Sequence, residues 1–381
     1  MSVRDVDLVA TLGEVIRTAI EPQARTVDEE GRFPRHALDA LGEAGVLGLV
    51  SATDVGGGGG THRDGCRVVE SLAGACGSTA MVMMMHYTAT AAVEAHGSPD
   101  VRKAIGRGQH LSTLAFSEAG SRSRFWTPVS TAAAVEGAVR LDAAKSWVTS
   151  AGEADSYVWS SRPLRADGPM TLWLVPATTD GLQVAGPFDG LGLRGNASSP
   201  VTADGVTVPA ESRLGPDGEG LDVALSVILP WFLLLNASFS IGLMEAVVQA
   251  TVGHLTATRF EQADTSLAQQ PVPRAALARM RMTTDAARAL RDDTLTALET
   301  GRDDAQLRVL EVKAVAAEAA IEVTEQAMRL CGGAAFRKEV GIERRFRDAR
   351  AARVMAPTTD ALEDFVGRAL CGLPLLDEAN F

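Results

Sequence analysis

Cysteine is scarce in this chain and nowhere paired. Cys66, Cys76, Cys331 and Cys371 are the only four, they are spread along 381 residues, and no two make a CxxC unit. That excludes a disulfide framework and speaks against a structural zinc site, so no metal is expected and the thiols are read as reduced, in a cytosolic protein. Positive charge is also in deficit: 36 Lys and Arg stand against 48 Asp and Glu, a net charge of −12. Nucleic-acid phosphates would be repelled on average, so no nucleic-acid partner is expected, although a local basic patch could still hold a phosphorylated ligand. An export signal is missing: "MSVRDVDLVATLGEVIRTAI" mixes acidic residues into its apolar pattern and has no cleavage-like site. One uncharged run, Ala224 to Met244, reaches the roughly 20 residues that a bilayer requires. Pro230 and Asn236 interrupt it and no basic cluster flanks it, which predicts a buried bundle helix and no membrane partner. Internal repeats are lacking, and only "EQADTSLAQQPVP" is polar enough to read as a possible disordered loop.

The length is ample for a large core. Apolar residues at three- and four-residue spacing in "DLVATLGEVIRTAI" and "PRHALDALGEAGVLGLV" predict amphipathic helices, the second opened by Pro34. Gly56 to Gly60 cannot continue a helix and predict a hinge or tight turn, followed by helices through "CRVVESLAGACGSTAMVMMMHYTATAAVEAHG" and "SPDVRKAIGRG". From Ser112 to about Gly218 the pattern changes to short β-branched and aromatic runs such as "SYVWSSRP", "MTLWLVPA", "LQVAGPF" and "PVTADGVTVP". Long alanine- and leucine-rich helices return from Leu221 onward. The order predicts an α+β chain: an N-terminal helical domain over 1–111, a middle β domain over 112–218 and a C-terminal helical bundle over 219–381.

Two loops of the middle part are shaped to hold a planar aromatic ligand. In "FSEAGSRS", Phe116 to Ser123, the small residues Ser117, Ala119, Gly120, Ser121 and Ser123 permit close backbone approach, so N–H groups and hydroxyls can bond a polar ring edge or a phosphate. In "KSWVTSAG", Lys145 to Gly152, strand alternation sends Trp147 and Thr149 to one face, a ring to stack on beside a hydroxyl. Together "SEAGSRSR" and "LDAAKSWVTS" resemble, in order and separation, the middle-domain loops of the acyl-CoA dehydrogenase family. The resemblance continues through "LGLRGNASSPVTADGVTVPAESRLGPDGEG" and through "AAFRKEVGIERRFRDARAARVMAPTTDAL", and the glycine run matches a loop of the family's N-terminal domain. It implies a three-domain fold with a β-barrel-like middle domain and a four-helix bundle, FAD between the last two domains, and a homodimer or homotetramer. It also implies that Leu114, Phe116, Ser117, Ser123, Trp147 and Thr149 line the isoalloxazine. Thr358 would face the adenosine half. Gly332 and Gly333 would contact the ADP half of a neighbouring subunit's FAD, and they equally suit a helix C-cap.

One position departs from the family. Where the commonest active-site turn carries the glutamate that removes the α-proton of an acyl thioester, this chain reads "MAPTTDA", with Ala356 in its place. The alternative base position of some relatives, on the first bundle helix, offers only Trp231 and Phe232 here. A thioester α-proton is weakly acidic, so a base within hydrogen-bond reach is required. Three readings follow. The chain oxidises an acyl-CoA or related thioester with a base from elsewhere, for which His86 is the candidate, passing electrons to an acceptor flavoprotein or to oxygen. Alternatively it is one of the family's monooxygenase or elimination branches, in which Arg124, standing where relatives have an aspartate, and Arg122 meet an anionic substrate or a CoA phosphate. Or it is a non-catalytic flavin carrier or partner subunit.

Overall fold

A computed structural model describes residues 3–122, 124–260 and 264–376. The N-terminal part is helical: α1 (Val3–Val15), α2 (Ala24–Glu29), α3 (Arg35–Glu43), α4 (His62–Ala75), α5 (Gly77–His96) and α6 (Pro99–Gly106). The helix opened by Pro34 stops at Glu43, because Gly45 turns left-handed at φ 71° and "GVLGLV" folds back as turns. The glycine run is a tight turn laid flat on Gly48–Ser51; a Cβ on Gly57 would lie 2.4 Å from the Ser51 carbonyl oxygen. A capping box between Thr61 and Asp64 starts α4, and Cys76 separates α4 from α5 by leaving helical geometry (φ −145°, ψ 111°). Helix α5 is apolar on all sides and buried along most of its length, because it passes between the helical layer and the β domain, touching β1 (Ser112–Ala115), α4 and the bundle.

The middle part holds two sheets. The first has the order β1, β4 (Ser156–Ser161), β5 (Thr171–Pro176), β8 (Arg213–Leu214), with β1 parallel to β4 and the rest antiparallel. The second is antiparallel, in the order β2 (Thr131–Val135), β3 (Ala138–Val148), β7 (Ser199–Pro209), β6 (Leu182–Val184). Strand β4 is buried on both faces, as its unbroken apolar and small-residue run requires, whereas β7 alternates between buried and exposed.

The C-terminal part is a bundle. Helix α7 (Gly220–Val223), a π turn over Ala224–Ile228 and α8 (Leu229–Ala257) run on as one helix, packed against α4, α5, α9 (Pro271–Thr300), α10 (Ala305–Cys331) and α11 (Ile342–Val354). This is the uncharged run of the sequence. It is long and apolar enough to cross a membrane by length and composition, and 89% of its most apolar window is buried inside the protein. A last helix, α12 (Thr359–Leu370), closes the described chain. In the described part of the loop expected before α9, β9 (Arg259–Phe260) pairs with β10 (Thr265–Ser266) and a Ser266–Gln269 capping box follows, so that part is ordered by local hydrogen bonds despite its polar composition.

One arginine touches all three parts. Arg347 of α11 makes a bidentate pair with the buried Asp28 of α2 (2.9 and 2.6 Å) and also donates to the Leu191 carbonyl of the β domain (3.1 Å). Its neighbour Asp348 accepts from the Leu193 N–H at 2.6 Å. Asp28→Ala should leave Arg347 only Glu343 as a carboxylate partner, at 2.7 Å, and destabilise the protein by about 2 kcal/mol, read from urea unfolding.

Candidate active site

A cavity of about 810 Å³ opens where these parts meet. Met81 and Met85, one helical turn apart on α5, form one wall. Phe116–Gly120 and the end of β3 form a second, the segment Phe188–Ser198 a third, and Ile228, Leu229 and Phe232 a fourth. Helix α11 and the turn Met355–Pro357 close it. Most of this surface is apolar, and its polar contributors are few.

The β-domain walls are locked from behind by a buried ion pair. Lys145 of β3 and Glu118 are both buried; the ammonium pairs with Glu118 and donates to the Ser160 carbonyl at 2.7 Å and to Ser160 Oγ at 2.9 Å. Glu118 also accepts from Ser130 Oγ and from the Val129 and Ser130 N–H groups. Burial opposes its charge, but the ammonium and these donors prevail and hold the carboxyl below its usual range. Glu118 is the one carboxylate lining the cavity among the described residues, and both its oxygens are engaged. Neither could have been read as buried from sequence, where each looks like an ordinary surface charge.

Beyond Lys145 the strand bulges, with a register shift between Lys145 and Val148, and Trp147 takes φ +57°. Trp147 and Thr149 do reach one cavity, but the cause differs from simple alternation: the bulge re-aims the indole, and Thr149 lies past the end of β3. The indole is 70% exposed, edge-on to Phe188 at 6.5 Å between ring centres. Thr149 Oγ1 lies 3.1 Å from Ser198 Oγ, and Ser198 N–H donates to Asn196 Oδ1 at 3.1 Å, so two hydroxyls sit on a pre-set polar shelf. Left-handed backbone at a tryptophan is costly, about 1–3 kcal/mol, and is sustained here by the anchored lysine two residues away.

Residues 5–107, 113–206 and 218–371 match the models of the acyl-CoA dehydrogenase N-terminal, middle and C-terminal domains. The chain belongs to the acyl-CoA dehydrogenase family. It is 26% identical over 360 residues to the mitochondrial short-chain specific acyl-CoA dehydrogenase of Bos taurus, covering 89% of this chain and 83% of that protein. It is 25% identical over 365 residues to the cyclohex-1-ene-1-carbonyl-CoA dehydrogenase of Geobacter metallireducens, covering 94% and 95%. In fold it superposes on butyryl-CoA dehydrogenase from Megasphaera elsdenii with a TM-score of 0.91 at 21% identity, over 97% of this chain and 99% of that one. A prolyl acyl carrier protein oxidase gives 0.86 at 19% identity, over 95% and 98%. The protein is thus an oxidoreductase of the acyl-CoA dehydrogenase family with that family's three-part fold.

Of the residues the family resemblance singles out, Leu114, Phe116, Ser117, Trp147 and Thr149 line the cavity, and so does Arg122. Ser123 lies outside the described residues. Arg124 is exposed and is absent from the cavity wall. Thr358 caps α12 by accepting from the Ala361 N–H, and Gly332 ends α10 at φ +51° with Gly333 beside it, both exposed. These three are away from the cavity, in positions that helix capping accounts for. Sequence reasoning missed the shelf at Asn196 and Ser198, Met81 and Met85, and the cationic side chains Arg347 and Arg350 on α11. The four-residue spacing of the two methionines was a visible signal for a shared helical face.

His86 is corrected. It follows Met85 by one residue, about 100° further round the helix, and is fully buried away from the cavity. Its Nε2 bonds the Leu47 carbonyl at 3.1 Å and its Nδ1 accepts from the Ser112 N–H at 3.1 Å, so neither nitrogen is free to take a substrate proton. Burial pushes its pKa down to about 4. The folded state therefore binds a proton less readily than the unfolded chain between about 4 and 6.5, and stability is lost as pH falls through that window. Between about pH 7.5 and about pH 5 this group should cost on the order of 2 kcal/mol, and His86→Gln should remove that part of the slope in urea unfolding.

Ala356 lines the cavity and carries no proton acceptor. At the alternative base position Phe232 faces the cavity, while Trp231 stacks on His62 with ring centres 4.1 Å apart.

Proposed function

We propose that the chain binds FAD in this cavity and acts on an acyl-CoA or related thioester without a carboxylate base on the Met355–Pro357 turn. The observation that carries the cofactor reading is Trp147: an indole left 70% exposed over an otherwise apolar cavity, beside small residues that let a flat ligand approach and a hydroxyl pair that can bond a ring edge. Phe116, Ser117 and Leu114 would complete the holding surface, and FAD would supply a two-electron acceptor there. Arg122 stands at the cavity and would meet an anionic group such as a CoA phosphate, and exposed Arg124 would add charge nearby; among the described residues neither has a carboxylate partner. Met81, Met85 and Phe232 would enclose the acyl portion and keep water out.

Exposed Phe336, Val354, Leu370 and Leu373 on the bundle support a homo-oligomer. Gly332 and Gly333, next to Phe336, would then meet a cofactor only across a subunit contact. Electrons would leave to an acceptor flavoprotein or to oxygen.

A second reading has one observation in its favour. Glu118 is the only carboxylate on the cavity among the described residues and is fully engaged, which suits chemistry that needs no α-proton abstraction, such as monooxygenation with dioxygen as oxidant and a supplied reductant, or elimination.

Purified protein should carry or take up FAD, and Trp147→Ala should weaken that binding about tenfold in a fluorescence titration; a protein that FAD cannot reconstitute sinks the reading. Under anaerobic conditions, Ala356→Glu should speed flavin bleaching by a matching acyl-CoA about a hundredfold over the parent. If the parent already bleaches at the rate of the variant, a base lies elsewhere. If neither bleaches but oxygenated product appears with reductant and dioxygen, the second reading holds.

A further inference from the structure

Lys313 stands in the middle of α10, in the alanine-rich stretch "LEVKAVAAEAA", where helix periodicity gives no reason for a cation. It is fully buried, and among the described residues no carboxylate pairs with it. Its Nζ instead donates to two backbone carbonyls, those of Met355 at 2.8 Å and Pro357 at 2.7 Å. These are the residues on either side of Ala356, and all three line the cavity. The other polar contact on this turn is weak: Asn236 Nδ2 approaches the Met355 thioether at 3.7 Å, and Asn236 Oδ1 is buried without a partner. A buried ammonium is retained only where its bonds offset its lost hydration, and a methylene chain would otherwise pack better here.

We propose that Lys313 is a positioning residue whose ammonium clamps the Met355–Pro357 turn from behind and so sets the wall of the cavity at the place where a base is missing. Between the two gripped carbonyls sits Ala356, which lines the cavity, so holding the carbonyls fixes the backbone on both sides of it. Charge-assisted bonds are roughly twice as strong as neutral ones, so the grip depends on the proton as well as on the amine. Burial lowers this lysine to about 7, and no charged group on α8, α9, α11 or α12 contributes to the shift. The inference concerns the wall alone and stands whether or not FAD is the ligand.

Hydrogen exchange followed by mass spectrometry on the full chain, without cofactor or substrate, tests it. In Lys313→Met the amides between Met355 and Asp360 should exchange at least tenfold faster than in the parent, with α8 and the rest of α10 unchanged. Equal exchange in that segment, or a rise spread evenly over α8 and α10, overturns the proposal. Should Lys313→Met fail to fold, the parent supplies the answer. Exchange of the same segment, corrected for the intrinsic rate, should rise several-fold between about pH 6 and about pH 9 as the ammonium loses its proton. A flat corrected profile overturns it. Failure of FAD to bind would leave these outcomes readable.

Discussion

A cavity between domains exists only as long as the domains keep their relative positions, and in this protein that constraint falls on two consecutive residues of α11. Arg347 spends its guanidinium fork on Asp28 of the N-terminal domain and on the Leu191 carbonyl of the β domain, while Asp348 takes the Leu193 N–H. The packing around them admits no slack. A Cβ on Gly192 would lie 2.6 Å from the Arg347 backbone, and one on Gly77 would lie 2.5 Å from Asp348 Oδ2. Burial raises the Asp348 carboxyl to about 6, so this fastening is electrostatically expensive and is accepted because position matters more than net stability at the junction.

The same division between frame and lining recurs around the site. Lys145 with Glu118, His86 between Leu47 and Ser112, and Asp348 beneath Leu193 are buried polar groups whose hydrogen bonds join separate segments. None of their free capacity is offered to the cavity. What faces inward is mainly methionine, phenylalanine, leucine, an exposed indole and a few hydroxyls, with the cations Arg122, Arg347 and Arg350 and the engaged carboxylate of Glu118 at the wall. Such a lining binds a flat or aliphatic ligand well and moves protons poorly. The chemistry available in the site is therefore limited by what a ligand brings with it, more than in a site whose wall carries a free carboxylate.

The fold was legible to the extent that periodicity and turn residues decide it. The change from helical spacing to short β-branched runs at Ser112, and the return to long helices after Gly218, appear in the structure as β1 and α7. The two cavity loops were legible as small-residue clusters beside a tryptophan, and residues from both line one cavity. What could not be read was long-range. His86 and Met85 are adjacent letters, and only the packing of α5 against Leu47 and β1 decides which of them faces the cavity. Lys145 reads as a polar strand residue until Glu118 is brought to it from 27 positions away. The bulge at Trp147 breaks the period of two on which the sequence argument relied, and the right cavity was reached through a different geometry.

The most telling contrast lies between the shape of the turn at Met355–Pro357 and its chemical content. A turn with nothing fastened behind it would be free to relax, since no apolar neighbour satisfies its carbonyls. Yet the turn is met from behind by Lys313, flanked by Thr358 capping the next helix, and faced by Phe232 at the place where a second base could have stood. Trp231 is likewise occupied, stacked on a His62 whose pKa burial lowers to about 4. Ala356 and Phe232 thus present only hydrocarbon to the cavity, in a wall that is otherwise held in place. The turn keeps its fixed shape through contacts behind it.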